Sequence, residues 1–207
     1  MDVSSHSIAA IADRSFDVPL LFATRSVRLF AYGFLSVVLV LYLSAVGLDP
    51  ERIGLLLTLT LLGDTAVSLP ITTWADRMGR RRMLVVGAIL MVFAAVLFAV
   101  TKDFVWLLIA ATIGVISPSG SEIGPFLSIE QAALSQLLPG ERRTSVFAWY
   151  NLIGSFATAI GALAGGFVCQ WAEFRGAIGA DVFRPVVFGY GAFGLVLAAM
   201  FSGCPLA

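Results

Sequence analysis

Six long apolar runs, divided by short stretches that hold most of the charge, constrain this chain more than anything else in its sequence. They fall at residues 27–47, 53–74, 83–100, 104–116 continuing to 138, 146–171 and 185–201. A helix needs about 20 residues, within a range of about 17–25, to cross the hydrocarbon of a bilayer. Five runs fit or nearly fit that length. The fourth is too long for one straight span and is interrupted by Ser117-Pro118-Ser119-Gly120-Ser121 and again by Pro125. That pattern predicts one long, kinked helix, with a re-entrant turn or two short helices as alternatives. A soluble fold of 207 residues has one core of limited size and would leave much of six such runs in water. Only 13% of the residues are charged, against roughly 25% in an average soluble chain, so lipid is the solvent that fits. The expected fold class is all-α, a polytopic membrane helix bundle of about six transmembrane helices.

The connections at 48–52, 75–82, 101–103 and 139–145 are short, and the one at 172–184 is somewhat longer, so successive helices should pack as antiparallel neighbours. Short loops also make the distribution of basic residues informative, because cytoplasmic loops collect Lys and Arg. With the amino terminus in the cytoplasm, Arg14, Arg25, Arg28, Arg77, Arg80, Arg81, Arg82, Arg142 and Arg143 lie inside, against Arg52, Lys102, Arg175 and Arg184 outside. This bias predicts a multi-pass protein of the cell membrane, plasma or bacterial inner, with both termini cytoplasmic. Asp2, Asp13 and Asp17 precede the first run, unlike the basic start of a cleaved signal peptide.

Other classes find little support. Formal net charge is zero, which offers no basic face for nucleic acid. Cys169 and Cys204 are too few for a disulfide framework, and His6 cannot build a metal site alone. No nucleotide-binding loop and no Ser/His/Asp set is present, so the sequence gives no ground for an enzyme, a cofactor or ATP drive.

Polarity divides the runs. The third holds nothing more polar than glycine and the sixth only Tyr190, as expected of helices that face lipid. The others carry polar residues at helical spacing: Arg28, Tyr32 and Ser36 in the first; Thr60, Asp64, Ser68 and Thr72 in the second; Ser121, Ser128, Gln131 and Ser135 in the fourth; Asn151, Ser155 and Thr158 in the fifth. Residues four apart share a helix face. For the hydroxyls, bonding between helices is the favoured expectation, with a wet wall as the alternative. Carboxylates differ, because an ionised Asp near mid-membrane costs about 2.5–3.5 kcal/mol. Asp64 sits near the middle of its run and Glu122 just after the helix break; either carries a transport role or a structural bond to a neighbouring hydroxyl. Glu130 reads as a partner for an interfacial arginine.

After the second run the sequence is Trp74-Ala75-Asp76-Arg77-Met78-Gly79-Arg80-Arg81-Arg82. This resembles the loop between the second and third helices of major facilitator superfamily transporters, with its Asp-Arg-x-Gly-Arg-Arg/Lys core. Thr72 stands where that family has a glycine. Leu138-Pro139-Gly140-Glu141-Arg142-Arg143 is similar to the family's turn between helices four and five, and Gly161-Ala162-Leu163-Ala164-Gly165-Gly166 partly resembles its fifth-helix antiporter motif, with Ala162 in place of proline. Helix packing is the main role expected of these glycines.

The resemblance implies the amino-terminal six-helix half of a twelve-helix transporter: a leader at 1–24, the bundle at 25–201 and a short tail at 202–207 that marks a truncation. It implies transport of a small solute, with protons as the coupling ion and the lipid bilayer as surroundings. Asp64 and Glu122 would be proton or substrate sites, with Tyr32 and Asn151 as hydrogen-bonding wall. Asp76, Arg77, Gly79 and Arg80 would form a cytoplasmic latch held by Arg142. Spans three and six would lie at the periphery. The alternative is a truncated or split half without transport activity alone, acting as a partner subunit to a carboxy-terminal half or being a gene fragment.

Overall fold

The computed structural model describes the backbone of residues 3–78, 80–113, 131, 134 and 143–202, and the side chains of 19–66, 82–112, 131, 134 and 143–202. Six helices account for nearly all of these: α1 (Val3–Val46), α2 (Pro50–Met78), α3 (Arg80–Val100), α4 (Phe104–Ile113), α5 (Arg143–Phe174) and α6 (Arg184–Ser202), with a 3-10 turn at Gly179–Val182. No strand occurs among the described residues. The chain is an all-α membrane helix bundle.

Local chemistry sets the helix ends. Gly47 takes the left-handed conformation that glycine alone adopts cheaply (φ 106°). Its N–H donates to the Ser44 carbonyl and that of Leu48 to the Leu43 carbonyl, which satisfies the orphan carbonyls of the last turn of α1. Asp49 then caps α2, its Oδ1 accepting from the Arg52 N–H at 2.8 Å, with Pro50 in the first helical position, where its missing N–H costs nothing. Asp103 caps α4 in the same way through the Val105 N–H at 3.0 Å. Gly176 closes α5 as Gly47 closes α1: Gly176 N–H donates to Glu173 and Ala177 N–H to Ala172.

Among the described residues, four helical stretches are long and apolar enough to cross a membrane, at Pro19–Val46, Arg82–Val100, Arg143–Phe174 and Gly179–Ser202. The second and fourth predicted spans fall partly beyond the described side chains, which end in α2 at Ala66 and in α4 at Thr112. The first span begins at Pro19, not at residue 27. Arg25 therefore joins Arg28 in its interior, 6% and 0% exposed. Two of the nine cations behind the predicted orientation are withdrawn from that count.

Helix α1 is the keystone of the described bundle. Of its apolar window 56% is buried, against 22% for α5. It packs most extensively against α5 and also against α6, while α3 pairs with α6. The α1–α5 contact is backbone to backbone. A Cβ at Gly33 would strike the Thr158 carbonyl, one at Gly161 the Phe30 carbonyl, and one at Gly165 the Phe34 carbonyl. The buried face of α5 runs Tyr150, Gly154, Gly161, Gly165, Cys169 and Ala172, a stripe of mostly small residues at helical spacing. Close approach of this kind supplies the van der Waals contact that holds helices together where lipid is as apolar as the side chains. The packing role expected of Gly161 and Gly165 is what they perform, whereas Gly166 faces open space.

Candidate functional site

Three buried polar residues from three helices define the site. Tyr32 on α1 is 2% exposed, Asp64 on α2 3% and Tyr190 on α6 1%. Tyr32 and Asp64 both lie close enough to Tyr190 to act on its hydroxyl electrostatically. Asp64 Oδ2 and the Tyr190 hydroxyl are each buried without a hydrogen bond from the described residues. A polar atom left in that condition costs about 1–3 kcal/mol, and more when charged.

Among the described residues, no neighbouring hydroxyl relieves Asp64. Thr60, one turn away and fully buried, donates to the Leu56 carbonyl of its own helix at 2.8 Å. Ser36 donates to Gly33, Thr58 to Gly54, Ser155 to Asn151 and Thr158 to Gly154, each to a carbonyl one turn back. The expectation of bonds between helices is not met at Ser36, Thr60, Ser155 and Thr158: a carbonyl three or four residues earlier is within reach and asks nothing of a neighbouring helix.

A second polar cluster lies roughly 10 Å along α1, two turns before Tyr32. The Arg25 guanidinium donates to Asn151 Oδ1 at 3.1 Å and stacks on the Tyr150 ring at 4.0 Å from its centroid. Helix α5 thus holds an α1 cation by one amide and one aromatic face, and the aromatic contact gains from being desolvated. Of the four residues proposed from the sequence for solute or protons, Tyr32 and Asp64 come together, while Asn151 stands with Arg25. Glu122 lies outside the described residues, as do Gly79 and Arg142, and the side chains of Asp76, Arg77 and Arg80 are likewise not among those described.

Sequence inspection missed Arg25, which was counted with the loop charges, and Tyr190, which sits in a helix expected only to face lipid. A signal existed for the second: Tyr190 is the lone polar side chain in an otherwise apolar run, and at that depth a hydroxyl needs a reason. A separate cavity of about 260 Å³ opens at the other end of α1, among Tyr42, Lys102, Asp181 and Arg184, and includes none of the three site residues. There Tyr42 donates its hydroxyl to the Phe98 carbonyl, tying α1 to α3.

Long apolar helices with a few buried polar residues among them define an integral membrane helix bundle. Residues 21–204 match the Major Facilitator Superfamily, and the chain belongs to that family. It is 39% identical over 168 residues to the uncharacterized membrane protein YJR124C of Saccharomyces cerevisiae, a match covering 81% of this chain and 38% of the relative. It is 26% identical over 152 residues to the quinolone resistance protein NorA of Staphylococcus aureus, covering 71% of this chain and 38% of that protein. The chain thus spans well under half the length of the curated relatives it matches.

Proposed function

We propose that this chain is the amino-terminal half of a secondary transporter that moves a small solute in exchange or symport with protons, its two halves rocking about a midplane site. The observation that carries the proposal is Asp64, a carboxylate on α2 buried among the helices with one oxygen left open. Such a group is expensive to keep in a membrane and is retained where it loads and unloads a charge. NorA's name links that relative to quinolones, which makes amphipathic drug-like solutes the first probes for this protein. The test uses the full-length protein in proteoliposomes loaded with a pH-sensitive dye. Solute-dependent dissipation of a pH gradient is expected for at least one member of a panel that includes a quinolone. Solute movement indifferent to the proton gradient would remove protons from the mechanism.

The partial coverage of both relatives favours a half that needs its complement. The outward face of α5 suits that need, since it presents Asn151 and Ser155 beside Phe156, Ile160 and Phe167, a mixed surface better matched to a shared cavity than to lipid alone.

In the same proposal the α2–α3 junction faces the cytoplasm and works as a latch; α2 runs to Met78 and α3 starts at Arg80, so the helices take up nearly all of the connection expected at 75–82. Gly79→Cys, in a background without other reactive cysteines, is expected to react with an impermeant maleimide only from the cytoplasmic face and to lose most flux once labelled. Asp76→Asn is expected to insert normally and to slow transport. Labelling from the outside would reverse the orientation, and undiminished flux in both variants would reduce the junction to a topology signal.

A further inference from the structure

We infer that Tyr190 is the hydrogen-bond partner of Asp64 during transport, so that α6 supplies part of the proton-handling site and does more than fill the lipid-facing side. The inference rests on the proton role proposed above for Asp64.

The local packing of α6 fixes where Tyr190 points. Its two chain neighbours are glycines pressed against other helices. A Cβ at Gly189 would lie 2.8 Å from the Phe34 ring of α1, and one at Gly191 would lie 2.9 Å from the Ala95 methyl of α3. Gly194 continues the same seam, within 2.9 Å of Val92. Helix α6 is thereby wedged between α1 and α3, and Tyr190 is held wholly buried between them.

A phenylalanine would fill that volume equally well. Tyrosine adds a hydroxyl that meets no partner among the described residues, at a cost of about the order of a lost hydrogen bond. The open oxygen of Asp64 is the matching defect on α2. One bond between them removes both.

The other groups near the pair are few. Helix α1 contributes Tyr32 and, one turn earlier, the buried Arg28. Among their described residues, α3 brings only Arg82, exposed at its start, and α4 brings no titratable side chain. When Asp64 is ionised, the Tyr190 O–H donates to Oδ2. When Asp64 takes a proton from water on one side, its carboxylic O–H donates to the Tyr190 oxygen. No bond of tyrosine breaks, and the proton leaves to water on the other side.

Infrared difference spectra of the full-length protein between acidic and alkaline buffer test this. A carboxylic C=O band absent from Asp64→Asn identifies protonated Asp64. In Tyr190→Phe that band is expected at higher frequency, the mark of a weakened hydrogen bond, with solute-driven proton flux reduced about tenfold. If Tyr190→Phe does not give monodisperse protein, 3-fluorotyrosine at position 190 keeps the ring and is expected to move the band by a smaller amount. An Asp64 band at unchanged frequency in these variants would overturn the role of Tyr190 and leave Asp64 as the proton carrier. Absence of any Asp64-dependent band would overturn both.

Discussion

Asp64→Asn in the full-length protein is expected to abolish proton-coupled flux, with a loss of at least about a hundredfold, the scale on which removal of a positioned acid–base group is felt. Insertion and folding should survive. Asparagine keeps the shape of the side chain and one acceptor oxygen, stays neutral at every pH, and removes the roughly 2.5–3.5 kcal/mol that an ionised carboxylate costs at that depth. The buried surroundings of Asp64 then accept a smaller electrostatic demand than in the parent. Exchange of labelled solute across the membrane, with no proton gradient, is expected to continue. The decisive comparison is dye-reported proton flux against tracer exchange in the same vesicles. Full pH-dependent transport by the variant would leave Glu122 as the candidate.

The second large effect is structural. Gly161→Ala is expected to destabilise the bundle by on the order of 2 kcal/mol or more, because its methyl group meets the Phe30 carbonyl and only separation of α1 from α5 makes room. Gly166→Ala, five residues along the same helix, places its methyl in open space and should be neutral or slightly stabilising. Thermal unfolding in detergent, followed by loss of monodisperse protein, separates the two. Equal melting temperatures would mean that the α1–α5 approach is looser than its geometry requires.

The bundle was more legible in the sequence than the site. Apolar runs mark spans because nothing else tolerates them, and helix ends follow from local chemistry, the side-chain oxygens of Asp49 and Asp103 and the backbones of Gly47 and Pro50. The glycines at 161 and 165 were equally open to reading, since small residues four apart mean close packing. Partners across helices were harder. A stripe of hydroxyls looks the same whether it faces water, a neighbour or its own carbonyls, and Thr60 and Ser155 took the last course. The burial of Arg25 was hidden by a different effect. Basic residues near a span are so regularly loop residues that burial of a guanidinium against Tyr150 had no counterpart in the pattern of charge. Tyr190 was overlooked because one hydroxyl scarcely alters the polarity of a run.

The central place of α1 has a consequence for how the protein is made. Synthesis delivers this helix before the helices it packs against most, α5 and α6. Until α5 emerges, Arg25 lacks the amide of Asn151 and the ring of Tyr150 that hold it in the finished bundle. The nascent first helix must therefore wait with cations that are costly in hydrocarbon, sheltered by the insertion machinery or snorkelling to the interface.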